Sequence, residues 1–383
     1  MDVALRGVGV TTLTSEASLC HFSIFNLQSY VMDKKFRKIL DSSPIEASAP
    51  CRIDMGGTLD IPTFYYPLRH LSPCSFNIAL KLRTRICLLP CARGRIKISS
   101  RGFKAAQFSA DAAPFNHPMG LMFATAAFFN AEGIHIAIES QSPPRSALGG
   151  SSAAAVALVA AFLKLKATTE SGGRLNRRRV ALLAYQLEQS TAGVPCGFQD
   201  QLAAAYGGVN VWNWQTDPDR SVFRRKIVVA KKGHKELAGH LLLAYCGKPH
   251  ASKDINGRWV KQFLCGENRN LWMDVIACTR EFVQALAGKN YKKAAGYMNR
   301  ETGIRRKMTP DVLDKVGRRL AGIALQNDCG VRFTGAGGGG CLWALGEIEN
   351  IDRLRPLWQR SLSSPKETCL LDVGIDSEGV MVY

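Results

Sequence analysis

The stretch PPRSALGGSSAAAVALVAAFLKL, residues 143–165, constrains the fold of this chain more than any other segment. Its wholly apolar run, residues 153–163, is shorter than the roughly 20 residues that a membrane span requires, so we expect a helix buried in a protein core. Free N–H groups and the positive end of the helix dipole attract anions, and small residues allow a ligand close to the backbone. The pattern therefore predicts a phosphate-binding helix start, with an ordinary cap on a core helix as the alternative. The small residues in question are Gly149, Gly150, Ser151 and Ser152.

Strand-like and helix-like segments follow one another along the chain in an order that indicates an α+β fold. The chain has 383 residues, 46% of them hydrophobic, which is enough for a large core and for two or three domains. From residue 49 onward, strands and helices alternate without a regular βαβ repeat, which argues against a doubly wound sheet. We expect an N-terminal extension over residues 1–47, ordered or disordered, followed by domains over residues 48–235 and 236–383.

Charge and composition limit the classes of partner. The net charge of +19 favours anionic ligands such as phosphorylated metabolites. Nucleic acid is disfavoured, because the basic clusters are dispersed, lack interleaved aromatics and fit no zinc-finger or RRM-type pattern. The twelve cysteines form no CxxC pair, so reduced and mostly buried thiols are expected. No persuasive targeting signal precedes the fold, and a cytoplasmic location is expected by default.

A glycine-rich segment near the C-terminal end has two possible interpretations. No GxxxxGK[ST] motif occurs, and the GxGxxG match at Gly335, Gly337 and Gly340 is followed by the strand-like CLWALG rather than by a helix. The segment is therefore either a plain hairpin turn or a loop packed beneath the phosphate-binding segment.

Two carboxylates stand in otherwise apolar or neutral sequence within LEQSTAGVPCGFQDQLAAAYGGVN, residues 187–210. An isolated carboxylate in such surroundings needs a partner. One of the pair, Glu188 and Asp200, could orient a sugar hydroxyl or accept its proton, and the other could hold Mg²⁺. The alternative makes Glu188 a surface helix residue and Asp200 a helix cap.

Another group of charged residues surrounds a glycine turn in APCRIDMGGTLDIPTFYY, residues 49–66. Arg52 beside Asp200 could keep that carboxylate ionised, and Asp60 could accept hydrogen bonds from sugar hydroxyls. A surface ion pair between Arg52 and Asp54 is the alternative.

Taken in order, these segments resemble the GHMP kinase superfamily over residues 49–346. The sugar-kinase branch is the most similar, with galactokinases, heptose 7-phosphate kinases and fucose kinases. Two departures stand out: Ala147 occupies a position where glycine is usual, and the spacing from Arg52 to Asp60 is one residue shorter than in galactokinases. The resemblance implies an N-terminal domain like ribosomal protein S5 domain 2 and a ferredoxin-like C-terminal domain.

The resemblance also implies roles for individual residues. It makes Asp200 the catalytic group with Arg52 as its partner, and Ser152 and Glu188 the ligands of Mg²⁺. Contacts with ATP are implied for Ala147, Leu148, Gly149, Gly150, Ser151, Ser152, Ala153, Gly335, Gly337 and Gly338. Contacts with the acceptor substrate are implied for Asp54, Gly57, Thr58, Asp60 and Tyr206.

The implied activity is transfer of the γ-phosphoryl group of ATP to a hydroxyl of a monosaccharide or sugar phosphate. Such a reaction depends mainly on alignment and charge neutralisation. Two alternatives stay open: a kinase of the same superfamily for a non-sugar alcohol such as mevalonate or homoserine, and a catalytically inactive protein that senses sugar and ATP.

Overall fold

The computed structural model describes residues 39–169, 175–247, 252–363 and 368–383. Most of the predicted extension, residues 1–47, lies outside these ranges. The first strand, however, begins at Ile45 rather than after residue 47. Ile45 and Ala47 pair with Leu88 and Ile86 of the neighbouring strand and are buried, so the core begins inside the predicted extension.

Twelve strands lie within the described ranges and form two sheets. In chain order they are β1 Ile45–Met55, β2 Cys74–Pro90, β3 Arg95–Ser100, β4 Ala106–Ser109, β5 Ile134–Ser140, β6 Val209–Trp214, β7 Phe223–Val229, β8 Leu241–Tyr245, β9 Gly330–Phe333, β10 Cys341–Leu345, β11 Cys369–Leu371 and β12 Met381–Val382.

Residues 39–42 are helical, and eleven further α-helices accompany the strands in the same ranges. They are α1 Pro62–Tyr65, α2 Gly120–Phe128, α3 Gly150–Thr169, α4 Arg177–Thr191, α5 Gln199–Tyr206, α6 His234–Gly239, α7 Ser252–Leu264, α8 Arg269–Ala287, α9 Tyr291–Met308, α10 Lys315–Gln326 and α11 Ile348–Leu362. The α+β fold predicted from the sequence is confirmed.

The first sheet has eight strands, with the order β12-β1-β2-β5-β3-β4 and a branch through β6 to β7. The branch exists because β2 is 17 residues long: β6 pairs with its first part and β5 with its last part. The register between β1 and β2 shifts at Pro50, the position where proline cannot donate a ladder hydrogen bond.

Helix α3 is the core helix of the first sheet. It packs on β1 and β2 and is covered by α4 and α5. Alanines at positions such as 153, 155 and 157 are fully buried and let the helix axis lie close to the strands. The helix is long and apolar enough to cross a membrane, but 67% of the window Gly150–Ala167 is buried inside the fold, as expected for a core helix.

The second sheet has four antiparallel strands in the order β11-β8-β10-β9. Helices α9, α10 and α11 pack on it, and α8 joins the two sheets because it also contacts β2 and β7. The GxGxxG segment forms the loop of the β9–β10 hairpin, which confirms the predicted strand, glycine turn and strand and excludes a dinucleotide-type helix start.

The end of the chain returns to the first sheet. Val382 pairs with Ala47 of β1, and the carbonyl of Asp376 accepts a hydrogen bond of 2.6 Å from the N–H of Gly208. The predicted boundary between residues 235 and 236 falls inside α6, which lies between β7 of the first sheet and β8 of the second. A single second domain over residues 236–383 is nevertheless not what the sheets show, because β12 completes the edge of the first sheet beside β1.

The return of the chain gives a test of packing at Gly379. Its φ is +69°, and an added Cβ would lie 2.4 Å from the carbonyl oxygen of Ala205. Gly266 has a similar φ of +84° but open space around it, so Gly266→Ala isolates the backbone cost of about 1 kcal/mol. Gly379→Ala should lower the free energy of unfolding by about 3 kcal/mol, because steric overlap adds to that cost. Urea unfolding of both variants measures the difference, and equal losses would contradict the close packing of this segment.

Candidate functional site

The segments predicted to carry chemistry meet at one cavity of about 700 Å³. It lies where β1 ends, α3 and α5 begin, and the β9–β10 loop turns. The predicted site residues on its wall are Arg52, Thr58, Asp60, Ala147, Gly149, Gly150, Ser151, Ser152, Glu188, Asp200 and Gly335. Residues that are far apart in the sequence therefore form one site.

Arg52 and Asp200 form a two-pronged ion pair at the centre of this wall. Nε and Nη2 of Arg52 each donate a hydrogen bond of 2.7 Å to one carboxylate oxygen of Asp200. Arg52 has a side-chain exposure of 5%, whereas Asp200 keeps 23% exposed toward the cavity. Burial acts to lower the pKa of Arg52, but the carboxylates of Asp200 and Asp54 outweigh it and raise that pKa. The charge on Arg52 is thus secure, and the alternative of a surface ion pair is wrong.

Arg52 also holds the segment that leads into α3. Its Nη1 donates to the carbonyl oxygen of Ala147 at 2.6 Å, and its backbone N–H donates to the carbonyl of Leu148 at 2.9 Å. Ala147 and Gly149 both have positive φ values, +61° and +73°, so the backbone curls before the helix begins at Gly150. An alanine in this conformation carries a strain of about 1 kcal/mol that a glycine would not.

Two residues of this segment face the core instead of the cavity. Leu148 and Ala153 are fully buried and belong to the main apolar cluster. Both residues were implied as ATP contacts by the resemblance, and their side chains point away from the cavity. Ala153 packs inward because α3 presents its apolar face to β1 and β2.

The glycine-rich hairpin lies beneath the same segment. A Cβ on Gly340 would lie 2.5 Å from the carbonyl oxygen of Ser146, and one on Gly335 would lie 3.5 Å from that of Ala147. The hairpin loop is therefore packed beneath the segment that is predicted to bind phosphate, and it is not a plain hairpin turn. Gly337 and Gly338 depart from expectation, because they face Val312 and Ile255 of the second sheet's layer. Of the three hairpin glycines that were implied as ATP contacts, Gly335 is the one on the described cavity wall.

Ser152 and Glu188 meet on the cavity wall. The hydroxyl of Ser152 donates to Oε2 of Glu188 at 2.7 Å, and Nε2 of Gln201 donates to the same oxygen at 2.7 Å. Burial raises the pKa of Glu188, although these hydrogen bonds act against the rise. Glu188 is thus a cavity residue of α4 and not a surface helix residue.

Gln201 was not identified from the sequence. Its Oε1 is buried and has no hydrogen-bond partner among the described residues, which leaves an acceptor beside Glu188. The signal that could have found it is its place directly after Asp200 at the start of an Ala-rich helix. A hydroxyl, a carboxylate and an amide oxygen make a donor set that fits Mg²⁺, which commonly takes one or two carboxylates together with phosphate oxygens. Within the described ranges no cluster of three or more His, Cys, Asp or Glu residues could hold a metal by itself.

Asp60 forms the far side of the cavity. It is 3% exposed, and its Oδ2 accepts a hydrogen bond of 3.0 Å from the backbone N–H of Gln199. The close approach requires glycine at position 197, because a Cβ there would lie 1.7 Å from Oδ2 of Asp60. Burial raises the pKa of Asp60 to about 7; the Gln199 hydrogen bond opposes this and the charge of Asp200 adds to it.

Three residues implied as substrate contacts lie outside the described wall of the cavity. Asp54 is fully buried and accepts hydrogen bonds from Nη1 of Arg332 at 2.9 Å and from the N–H of Gly335 at 2.7 Å. Gly57 faces Asp54, since a Cβ there would lie 2.5 Å from its Oδ2. Tyr206 points away at the end of α5, where the guanidinium of Arg225 lies 4.8 Å from its ring. Each of the three is occupied by a protein partner.

An apolar stretch of the wall was also missed from the sequence. It comes from the segment before α2 and from the loops around β3 and β5, and it includes Phe103, Pro118, Met119, Met122 and Pro144. Apolar side chains of this kind suit a flat ring such as a nucleobase. No motif marks them, because Phe, Met and Pro in these positions are indistinguishable from ordinary core residues.

Comparison with known proteins agrees with this geometry. Residues 116–208 match the family described as GHMP kinases N terminal domain. This span contains α2, α3, α4 and α5 and therefore Ser152, Glu188 and Asp200. A mevalonate kinase of Thermococcus sibiricus is 28% identical over 223 residues, which cover 56% of this chain and 60% of that protein.

Solved structures extend the similarity to nearly the whole chain at the level of the fold. Galactokinase of Lactococcus lactis, solved with galactose, has a TM-score of 0.67 and 16% identity and covers 91% of this chain and 97% of its own. Phosphomevalonate kinase of Streptococcus pneumoniae, solved with phosphomevalonate and AMPPNP, has a TM-score of 0.64 and 14% identity and covers 88% and 100%. These structures show that the fold is shared, and the family match over residues 116–208 confirms the resemblance to the superfamily.

Asp60 gives this site a pH signature. Between its unfolded pKa of 3.8 and its folded pKa of about 7, the folded protein holds a proton that the unfolded chain has lost. The stability that protonated Asp60 contributes is therefore complete below the lower value and is lost as the pH rises to the upper one. The free energy of unfolding of the wild type, minus that of Asp60→Asn, should fall by up to about 1.4 kcal/mol per pH unit in this window.

Chemical denaturation across that window makes the comparison, with Asp219→Asn, an exposed carboxylate outside the cavity wall, as the control. Parallel curves for the wild type and Asp60→Asn would contradict the buried, proton-binding environment of Asp60.

Proposed function

We propose that this chain, which has the GHMP kinase fold and a segment that matches that family's N-terminal domain, is an ATP-dependent small-molecule kinase. The acceptor that we propose is a hydroxyl of a monosaccharide or sugar phosphate. The observation that carries the proposal is that the Arg52–Asp200 pair faces the same cavity as the start of α3.

The phosphate side of the proposal depends on the start of α3. The free backbone N–H groups of Gly150, Ser151 and Ser152 point toward the cavity end of a 20-residue helix, where the helix dipole favours negative charge. The basic residues Arg101 and Arg145 line the same cavity. The apolar wall around Met119 and Phe103 would then receive the adenine ring.

The acceptor side depends on carboxylates. Asp200 lies beside the helix start, with its Oδ2 only 3.3 Å from the position of a Cβ on Gly149. A hydroxyl placed between Asp200 and the terminal phosphate can give its proton to the carboxylate as the new P–O bond forms and the bond to the β-phosphate oxygen breaks. Arg52 keeps Asp200 in one orientation through its two hydrogen bonds. Asp60 and Thr58 supply further polar groups for a polyol.

The proposed Mg²⁺ ligands are Ser152 and Glu188, which already touch each other. When bound, Mg²⁺ neutralises charge on the nucleotide phosphates. Until then the Ser152 hydroxyl and the Gln201 amide hold the carboxylate of Glu188 in place.

One competing acceptor has support from the comparisons. The curated relative from Thermococcus sibiricus is named a mevalonate kinase, so a non-sugar alcohol is the second candidate. The similarity spans 60% of that protein, and it does not distinguish acceptors. Asp60 and Asp200 offer oxygen atoms that accept hydrogen bonds from the hydroxyls of a polyol, which favours a sugar as the acceptor.

A screen of acceptors tests the proposal. ADP formation is measured with free and phosphorylated monosaccharides, mevalonate and homoserine, each with ATP and Mg²⁺. We expect turnover with a sugar, and Asp200→Asn should bind ATP normally while losing at least about a hundredfold in kcat, because the group that orients the hydroxyl loses its charge. Asp219→Asn is the matched control and should keep full activity. Turnover with mevalonate and with no sugar would contradict the sugar as acceptor and identify a non-sugar alcohol kinase. ATP binding without turnover on any of these acceptors would indicate a protein that senses its ligands.

The metal assignment has its own prediction. Glu188→Gln should raise the Mg²⁺ concentration for half-maximal activity by about tenfold, because a neutral amide is a poorer ligand than a carboxylate. Glu139→Gln, which changes an exposed glutamate on β5, is the control and should leave that concentration unchanged. A Mg²⁺ titration of the three proteins makes the comparison, and an unaltered requirement in Glu188→Gln would exclude it as a ligand.

A further inference from the structure

Asp200 is one end of a chain of six alternating charges. From the cavity inward, each residue contacts the next through oppositely charged groups, with nitrogen–oxygen distances of 2.7, 3.7, 2.9, 2.9 and 2.9 Å. The order is Asp200, Arg52, Asp54, Arg332, Glu301 and Arg305. We call these six residues the charge chain. Its negative and positive groups are equal in number, so the charge chain itself carries no net charge.

The charge chain extends from the first sheet to the second. Arg52 and Asp54 lie on β1, Arg332 lies on β9, and Glu301 and Arg305 lie on α9. The four inner side chains have no exposed surface. Arg305 ends the chain between the rings of Trp259 and Trp272, 4.7 and 4.6 Å from their centres, and donates to the carbonyl of Gly57 at 2.6 Å. None of these inner residues lines the described part of the cavity.

Arg52 is the residue of this chain with a choice of partner. It stands between two carboxylates, and its fork is on Asp200 at 2.7 Å while its Nη1 lies 3.7 Å from Asp54. Asp54 does not need that fork, because one of its oxygens accepts from Arg332 and the other from the N–H of Gly335. A buried carboxylate that lost Arg332 would be left with Arg52 as its nearest cation.

We propose that Arg332 is a positioning residue for the reaction. Because Arg332 neutralises Asp54, Arg52 keeps its two-pronged contact with Asp200. This inference depends on the proposed kinase function for its catalytic meaning. Glu301 supports Arg332 in this role, because its Oε2 accepts from Nε of Arg332 at 2.9 Å and fixes the plane of the guanidinium. Burial acts to raise the pKa of Glu301, but Arg332 and Arg305 outweigh it and lower that pKa, so Glu301 stays charged.

The charge balance distinguishes positioning from simple structural support. Arg332→Gln removes a cation and should draw Arg52 toward Asp54, which lowers kcat by at least about tenfold. Arg332→Lys keeps the cation and should retain most of kcat. Asp54→Asn combined with Arg332→Gln removes the competing carboxylate as well, and should recover at least about fivefold in kcat over Arg332→Gln alone.

The control is another arginine in an ion pair, and its side chain is partly buried. Arg83 forms an ion pair with Asp376 and donates to the carbonyls of Ser48 and Gly379, away from the cavity wall. Arg83→Gln should lower the thermal midpoint and leave kcat per folded molecule unchanged. The inference is overturned if folded Arg332→Gln keeps the wild-type kcat. It is also overturned if the fold-loss in kcat of the double variant equals the product of the fold-losses of Arg332→Gln and Asp54→Asn alone.

A crystal structure of Arg332→Gln gives a readout that does not need turnover. We expect Arg52 to leave Asp200 and contact Asp54; an intact Arg52–Asp200 fork in that variant would overturn the inference even if the kinase activity is established. Conversely, absence of turnover in the wild type would contradict the proposed function and leave this crystallographic test of Arg332 in force. If Arg332→Gln does not fold, the double variant and Arg332→Lys carry the same comparison.

Discussion

The contact between Arg52 and Asp200 is the interaction on which the site depends. One arginine on β1 holds the carboxylate on α5, the carbonyl of Ala147 and, through its backbone, the carbonyl of Leu148. The start of α3, the acid beside it and the strand between them are therefore fixed by a single side chain. A fork of this type has a defined geometry, unlike a lysine, which would act as a point charge.

The backbone before α3 is shaped by this arginine and by the glycine hairpin below. Ala147 adopts a left-handed conformation that is costly for any residue with a Cβ, and its carbonyl is held by Arg52 while the hairpin packs against Ser146. The same hairpin donates the N–H of Gly335 to Asp54, so hydrogen bonds connect the loop, the hairpin and the charge chain.

The sequence predicted the buried helix, the α+β fold and the meeting of four distant segments, because each carried a local signal: an alanine-rich apolar run, a glycine cluster or a carboxylate in neutral surroundings. It did not predict the partner of Asp54. Arg52 and Asp54 are two residues apart on one strand and therefore point to the same face of the sheet, which favours a shared cavity. Arg332, however, is 278 residues away in the sequence, and its guanidinium occupies the position beside Asp54 where a ligand was expected. The prediction that Tyr206 contacts the substrate did not account for the helical turn. Tyr206 follows Asp200 by six residues in α5, so its side chain lies on a different face of the helix. The return of β12 to the first sheet had no local signal, since a two-residue strand carries no periodicity.

Location of the phosphates tests the central claim most directly. Crystals of the protein soaked with Mg²⁺ and a non-hydrolysable ATP analogue should show the phosphate groups on the backbone N–H groups of Gly150, Ser151 and Ser152, with the terminal phosphate facing Asp200. Phosphates bound elsewhere, for example in the adjoining cavity beside Arg83 and Arg85, would contradict the account.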